Sequence, residues 1–175
     1  MNLNIRLATI KDLNSINWLF KEVICDINNT KKINLLWGEV HPFCEFEKDI
    51  NNKEMYVIEK EDKLIGSFTI SKEDDPEYHA INWNSINKKN FYASRLVILP
   101  NEQGKGYAKK ALDYIVNYAK VNDYEFIRAV IHKNNIYSIG LCEKNGFIKV
   151  LDESWIFNGE IFWGFEKEIK KLIKQ

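Results

Sequence analysis

The sequence has few cysteines, few prolines and no excess of charge of either sign. Lysine and arginine together number 25, as do aspartate and glutamate, so the formal net charge is zero. Without a strongly basic surface, nucleic-acid binding is not expected. The three cysteines are widely spaced and form no C-x-x-C pair, which favours a reducing compartment, the cytoplasm, over a disulfide-stapled secreted protein.

Long hydrophobic runs are also missing. No apolar stretch approaches the length of a membrane span, and the N-terminus shows no signal-peptide pattern, so we expect no membrane partner. The 175 residues are most simply one domain, residues 1–175, and the 45% hydrophobic content is sufficient for a packed core. Frequent asparagine, lysine and isoleucine suggest a bacterial source.

Hydrophobic residues that are present recur at strand and helix spacings. Strand spacing occurs at residues 3–7, 55–59, 64–70, 91–99, 126–131, 147–150 and 160–165. Helix spacing begins after Thr9 or Asp12 and recurs at residues 106–121 and 135–144. A further helical region is expected within residues 33–50, interrupted near Gly38 and Pro42. Two hairpins are expected, one through Glu61-Asp62-Lys63 and one at Asn158-Gly159. Residues 28–32 are expected to form a turn, and residues 72–90 a long polar connection. This order predicts an α/β fold, a mixed sheet of about six to seven strands with helices on both faces.

A glycine-containing turn joins the strand ending near Leu99 to the next helix. It reads Gln103-Gly104-Lys105-Gly106-Tyr107-Ala108-Lys109. Backbone N–H groups at a helix start bind anions, and glycines allow a phosphate to approach. The spacing does not match the P-loop pattern, and G-x-G-x-x-G fails at its last position. The turn does match Q-x-x-G-x-A, on Gln103, Gly106 and Ala108.

A second segment, residues 135–147, reads N-I-Y-S-I-G-L-C-E-K-N-G-F. Asn135 stands where a helix N-cap is expected, and Gly146 supplies a helix stop. In this order, the two segments resemble the pyrophosphate loop and the later N-x-x-[AS]-x-x-L-Y-E-K-x-G-F motif of the GNAT family, the Gcn5-related N-acetyltransferases. The resemblance extends from Ile5 to about Phe165.

This resemblance implies the GNAT fold, and transfer of an acetyl group from acetyl-CoA to an amine of a small molecule or peptide, without a metal. The strand before the turn is expected to splay from its neighbour, so that the backbone of Leu96, Val97 and Ile98 pairs with the pantetheine arm. The N–H of Val97 or Ile98 would stabilise the oxyanion. The pyrophosphate is expected on residues 103–109, with Asn135 serving the CoA side.

The general acid has several candidates, because the family usually has a tyrosine where this chain has Cys142. That tyrosine commonly protonates the departing CoA thiolate. A cysteine thiol has a reference pKa of about 8.5, against about 10 for tyrosine, but its side chain is shorter. Either Cys142 is the acid, or it packs in the helix and Tyr137 or Tyr107 donates. The substitution also favours an alternative function, a non-catalytic acyl-CoA-binding sensor or regulatory module.

The general base is also open. An acceptor amine with a pKa of about 10.4 is mostly protonated near pH 7, so another group must take its proton. In some relatives a glutamate precedes the turn, but Arg95 is at that position here. The candidate bases are Glu39, His41 and His79. Arg95 either pairs with an internal carboxylate or contacts an anionic substrate group.

The oligomeric state is not apparent from composition. The strand at residues 160–165 is expected to lie at an exposed sheet edge, and such an edge would support a homodimer.

Overall fold

The computed structural model describes residues 3–33, 35–72 and 76–170, and these contain seven strands and four α-helices. The strands are β1 (Leu3–Leu7), β2 (Met55–Lys60), β3 (Lys63–Ser71), β4 (Asn90–Ile98), β5 (Phe126–His132), β6 (Ile148–Phe157) and β7 (Glu160–Glu168). The helices are α1 (Leu13–Asp26), α2 (Phe46–Asn51), α3 (Tyr107–Val121) and α4 (Ile136–Lys144).

The strands form a sheet in the order β1-β2-β3-β4-β5-β7-β6. β4 and β5 pair in parallel, whereas β1 with β2, β2 with β3, β5 with β7, and β6 with β7 pair antiparallel. This mixed sheet, combined with helices, confirms the predicted α/β class. Among the described residues, no helix has the length and hydrophobicity needed to span a membrane.

The chain divides into two compact units. The first consists of Met1–Ile70 and Ser94–Ala111, and the second of Ser71–Ala93 and Leu112–Gln175. β4 and α3 therefore each contribute residues to both units.

In the first unit, polar side chains define the start of α1. The N–H of Thr9 donates to the carboxylate of Asp12 at 2.7 Å, and Asp12 also pairs with Arg6 at 2.9 Å. Of the two predicted caps, Thr9 is the N-cap of a short 3₁₀ helix (Ile10–Asp12) in a capping-box arrangement with Asp12. Asp12 stands at the N-cap position of α1, but its side chain makes no cap hydrogen bond to that helix. The side chains that α1 buries follow helical spacing, namely Ile16, Leu19, Phe20 and Val23.

The core of this unit surrounds Phe20, whose ring centre lies 4.5 Å from that of Phe46 in α2. The β2–β3 hairpin closes at Glu61 and Asp62, with φ of 50° and 61°. These left-handed values are typical of a two-residue turn between twisted antiparallel strands. The predicted hairpin is therefore confirmed.

The turn predicted at residues 28–32 is wrong. Helical backbone continues beyond α1 through a wide turn at Ile27–Lys31 and ends at Lys32, with φ of 55°. The N–H groups of Lys32 and Ile33 both bond to the carbonyl of Ile27. These backbone bonds extend the helix even though the side chains are polar.

The helical region predicted at residues 33–50 is much shorter in the structure. It is confined to α2 and a preceding 3₁₀ helix (Phe43–Glu45). Pro42 has no N–H to give to a helical ladder, and Leu36 takes a left-handed φ of 60°. The chain between α1 and α2 therefore forms irregular turns.

In the second unit, β7 lies between β5 and β6. β6 and β7 form a hairpin whose turn, Asn158-Gly159, has φ of 48° and 78°, as the sequence predicts. The expectation of an exposed edge at residues 160–165 is wrong, because β7 pairs on both sides. The edge strand at this end of the order is β6.

The connection that leads to β4 is more closely packed than its polar composition predicts. Residues 73–75 lie outside the described residues. After them, a 3₁₀ helix (Pro76–Ala80) leads to Ile81 and Trp83, which are both buried in the core of the second unit. The connection therefore contributes apolar side chains to this core.

A buried ion pair anchors the end of this connection. The guanidinium of Arg128 in β5 lies 3.5 Å from the carboxylate of Glu166 in β7, and its Nε donates to the Ser85 hydroxyl at 2.9 Å. Glu166 accepts from the N–H groups of Asn84 and Ser85 at 3.0 and 3.2 Å, and from the Ser85 hydroxyl. These bonds hold the connection onto the strands.

Candidate functional site

The glycine turn lies in the first unit, between β4 and α3. Gly104 and Gly106 are exposed, with φ of 75° and 81°, and a Cβ added at either would meet no atom within 4 Å. The N–H of Lys110 bonds to the carbonyl of Gly106 at 3.1 Å, so the N–H groups of residues 107–109 precede the helical ladder. Open space beside these donors fits a phosphate or diphosphate group, as the sequence predicts.

Gln103 connects this turn to the end of β4. Its side-chain Nε2 donates to the carbonyl of Ile98 at 2.9 Å, and its Oε1 accepts from Nζ of Lys31 at 2.7 Å. Lys31 also pairs with Asp26 at 2.9 Å. The sequence places Gln103 among the CoA-binding residues. In the structure both ends of its amide are engaged within the protein, so its side chain positions the turn.

Lysines surround the turn and balance the charge of Glu102. The carboxylate of Glu102 lies 3.1 Å from Lys105 and 3.3 Å from Lys60. The hydrogen bond from Lys105 is the main cause that lowers the pKa of Glu102, and Lys60 adds to it. Tyr107 is buried, with Nζ of Lys60 and of Lys110 at 5.9 and 5.8 Å from its ring centre. An anionic ligand at this turn would therefore meet little uncompensated negative charge.

β4 contains a residue with left-handed backbone geometry in its middle. Arg95 has a φ of 52°, which interrupts the regular strand and is typical of a bulge. Its Nη2 lies 2.5 Å from the Asp49 carboxylate, and its Nε lies 3.4 Å from the Thr69 hydroxyl. Of the two interpretations of Arg95, the structure shows the pairing with an internal carboxylate.

Asp49 is buried, and Arg95 and Thr69 compensate its charge. Desolvation raises the pKa of Asp49, while the positive charge of Arg95 and hydrogen bonds from Arg95 and Thr69 oppose that rise. Among the described residues of β4, Arg95 alone has a left-handed φ, and its ion pair with Asp49 holds its side chain in place.

The stretch that follows the bulge is predicted to bind through its backbone. Leu96 is half-buried, and the side chains of Val97 and Ile98 are buried. Gly66 in β3 packs against them, because a Cβ there would lie 2.7 Å from both the Val97 carbonyl oxygen and Ile98 Cδ1. The position of this stretch therefore depends on close contact with β3.

His41 lies in a tight turn before α2. The N–H of Gly38 bonds to the carbonyl of His41 at 2.8 Å, and the N–H of Cys44 bonds to the carbonyl of Val40 at 3.0 Å. The pKa of His41 is lowered from 6.5, chiefly by partial desolvation of the ring and further by the positive charge of Arg95. A neutral imidazole near pH 7 can accept a proton.

Glu39 lies in the same turn and lines a shallow pocket on the outer face of α1. The pocket has a volume of about 450 Å³. Its walls also include Trp18, which is 51% exposed, and Phe43. Lys21 also lines the pocket, so the carboxylate of Glu39 and the indole of Trp18 lie beside a positive charge. His79, the remaining candidate base, is exposed in the second unit.

In the second unit, α4 begins at Asn135 as the sequence predicts. The Asn135 Oδ1 accepts from the N–H of Ser138 at 3.1 Å, which confirms the predicted cap. Cys142 is buried in α4, and burial raises the pKa of its thiol to about 12. This burial supports the interpretation that Cys142 is a packed helix residue. Tyr137, in the first turn of α4, is 57% exposed.

The sequence analysis did not identify two residues of the site, Asp49 and Lys31. Asp49 does carry a signal, because it lies between the buried apolar residues Phe46 and Ile50 on one face of α2. An acidic residue at such a position indicates a buried partner. Lys31 carries no comparable signal, since it is one of two adjacent lysines in a polar stretch, and its partner Gln103 is 72 residues away.

Comparison with known proteins places the chain among the acetyltransferases. Residues 20–147 match the model of the acetyltransferase (GNAT) family. This range contains the glycine turn, β4 and α4, and it covers more than half of the chain. No curated protein matches the chain significantly.

Solved structures share the fold. A GNAT-family acetyltransferase from Streptococcus agalactiae has a TM-score of 0.84 and 20% identity, over 97% of this chain and 96% of that chain. One from Listeria monocytogenes has a TM-score of 0.76 and 21% identity, over 95% and 94%. The protein yncA from Salmonella typhimurium, solved with its cofactor acetyl-CoA, has a TM-score of 0.70 and 16% identity, over 100% and 98%. The shared fold and the family match together establish that the chain belongs to the acetyltransferase (GNAT) family.

Proposed function

We propose that this acetyltransferase transfers the acetyl group of acetyl-CoA to an amine of a small molecule or peptide. The observation that carries the proposal is the glycine turn, where open space lies beside the first N–H groups of α3. Such a turn suits the diphosphate of CoA. Acetyl-CoA supplies an activated acyl group as a thioester, and the residues of the chain bind it, orient it and move protons.

Binding would rest mainly on the backbone. Residues 104–109 offer N–H groups to the diphosphate, and the exposed side chains of Lys105 and Lys109 add positive charge. The backbone of residues 96–98 would pair with the pantetheine arm in the manner of an added strand. Asn135 would serve the CoA side while it caps α4.

The bulge at Arg95 supports a catalytic role for the backbone that follows it. A left-handed residue interrupts the regular strand geometry just before residues 96–98. We expect the N–H of Val97 or Ile98 to face the thioester carbonyl and to stabilise the negative charge that develops there. One such donor typically contributes about 10²–10³ in rate.

His41 is our first choice for the general base. Its lowered pKa keeps the ring neutral near pH 7, so that it can take the proton that the acceptor amine must lose. Glu39 is the alternative, because its carboxylate lies in the pocket beside Trp18. His79, which is exposed in the second unit, is the remaining candidate.

For the general acid we favour Tyr137 over Cys142. Burial raises the pKa of Cys142 to about 12, whereas an ordinary thiol has a pKa of about 8.5. Proton transfer from Cys142 to a departing thiolate would therefore be uphill. Tyr137 lies on the same helix and exposes more than half of its side chain.

Cys142 also favours a second candidate function. If no group in this protein protonates the departing thiolate, the chain would bind acyl-CoA without turnover, as a sensor or regulatory module. The two functions share the CoA-binding residues and differ only in turnover.

The first experiment measures acetyl-CoA binding by titration calorimetry. Gly106→Val places a branched side chain where the phosphate must approach, so we expect affinity to fall by well over tenfold. Gly159→Val is the matched control, because Gly159 has a similar φ of 78° and open space but lies in the β6–β7 turn. Unchanged affinity in a folded Gly106→Val protein would overturn the assignment of the turn.

The second experiment separates the two functions. The protein is incubated with acetyl-CoA and a panel of amines and peptides, and thiol release is followed with DTNB. Acceptor-dependent release supports the acetyltransferase. Binding of acetyl-CoA without release on any acceptor supports the sensor.

We further propose that residues 1–175 act as one acetyltransferase domain in the cytoplasm, without nucleic-acid or membrane partners. None of the three cysteines forms a disulfide with another, which suits that compartment. If a homodimer forms by strand pairing at this end of the sheet, β6 is the edge strand rather than β7.

A further inference from the structure

Lys31 lies at the end of the wide helical turn that follows α1. Its Nζ donates to Oε1 of Gln103 at 2.7 Å and pairs with Asp26 at 2.9 Å. Only 18% of its side chain is exposed. Lys31 therefore occupies a defined position between the end of α1 and the glycine turn, and the proposed mechanism does not use it.

The partners of Gln103 allow its amide one orientation. An ammonium group only donates hydrogen bonds, and a backbone carbonyl only accepts them. With Lys31 on one side and the Ile98 carbonyl on the other, the amide oxygen must face Lys31 and the amide nitrogen must face Ile98. Without Lys31, the oxygen would lose this donor and the amide would be able to turn over.

This orientation matters for the glycine turn. Gln103 immediately precedes Gly104, and residues 104–106 include two glycines, which have much backbone freedom to lose on ordering. The bond from Gln103 to Ile98 fixes the start of the turn to the end of β4. A turn that is fixed before the ligand arrives loses less entropy when it binds.

The charge of Lys31 is not the basis of this effect. Asp26 pairs with Lys31 and compensates its charge, so its direct attraction for a phosphate is weak. The amide of Gln103, by contrast, depends on the hydrogen bond itself, and bonds to charged donors are stronger than those between neutral groups.

We propose that Lys31 is a positioning residue for acetyl-CoA, which acts by orienting the Gln103 amide and so fixing the glycine turn against the end of β4. This inference rests on the proposed function, since it assumes that the turn binds CoA. It predicts that loss of Lys31 weakens acetyl-CoA binding without slowing the chemical step.

The test is a double-mutant cycle with Lys31→Met and Gln103→Leu, read by calorimetry with acetyl-CoA and by steady-state kinetics. Each single variant should weaken binding by about tenfold or more, as expected for loss of one charge-assisted hydrogen bond. The double variant should be no weaker than the worse single variant, because both changes break the same link. KM for acetyl-CoA should rise while kcat stays within about twofold.

Controls separate this role from charge and from folding. Lys32→Met removes a charge from the neighbouring exposed residue and should leave the affinity unchanged. Lys31→Arg keeps a donor at this position and should recover part of the loss. Thermal unfolding of each variant shows whether it is folded, and Lys31→Gln provides a second, polar replacement if Lys31→Met is not.

Several outcomes would overturn the proposal. Affinity unchanged in folded Lys31→Met and Lys31→Gln would remove the role of Lys31. Additive losses in the double variant, or an equal loss in Lys32→Met, would show direct attraction of the phosphate instead. If the unmodified protein itself fails to bind acetyl-CoA, the proposed function fails, which is distinct from a failure of Lys31 alone.

Discussion

A single added methyl group at Gly66 should both destabilise the protein and displace the strand predicted to bind CoA. The Cβ of Gly66→Ala would lie 2.7 Å from the carbonyl oxygen of Val97 and from Cδ1 of Ile98, and 3.0 Å from Cδ1 of Ile58. The two Cδ1 atoms can move by side-chain rotation. The carbonyl oxygen can move only if the backbone of β4 moves with it.

The expected size of the effect follows from the packing. Overfilling a well-packed site costs about 1–3 kcal/mol. In a protein of this size, 1 kcal/mol corresponds to about 2–4 °C in Tm, so we expect a decrease of about 2–12 °C. Because the displaced atom belongs to Val97, KM for acetyl-CoA should also rise.

The assay is thermal unfolding of the two proteins, followed by acetyl-CoA kinetics at a temperature where both are folded. Gly38→Ala is the stability control, because a Cβ at Gly38 meets no atom within 4 Å, and its Tm should change by less than about 2 °C. If Gly66→Ala unfolds at the same temperature as the unmodified protein, the close approach of β3 and β4 at this point does not exist, and the reasoning fails.

Two further predictions concern proton transfer. With His41 as a base, activity requires the neutral imidazole, so kcat/KM should fall as the pH drops through its pKa, which lies below 6.5. His41→Gln should remove this acid limb and lower kcat by about 10²-fold or more, and a limb that persists in the variant would exclude His41. Cys142→Ala should keep turnover within a few-fold, because the thiol is buried and packs in α4; a hundredfold loss would show that it donates the proton.

Local features of this fold were predictable because local chemistry determines them. The turns at Glu61-Asp62 and Asn158-Gly159 have left-handed backbone geometry. Asn-Gly between alternating strands indicates such a turn directly, and the polar run Glu61-Asp62-Lys63 between two apolar strands indicates the other. The cap at Asn135 is likewise a contact between near neighbours, since it reaches only to Ser138.

Features that depend on distant partners were not predictable. Lys31 meets Gln103 across 72 residues, and Asp49 meets Arg95 across 46. A side-chain pattern shows that a charge is buried, but it does not identify the residue that compensates it. The helix beyond α1 was missed for a related reason, because backbone bonds to Ile27 extend it through residues whose side chains favour turns.

The buried pair of Arg128 and Glu166 restricts which substitutions this protein can accept during evolution. Loss of either partner leaves an uncompensated charge in the interior, at a cost of about 3–5 kcal/mol, whereas joint replacement by apolar residues is often neutral. Ser85 bonds to both partners, so its substitution would also leave a polar group of the pair unsatisfied. Sequences related by single substitutions should therefore retain all three residues, and a library designed to replace them must vary them together.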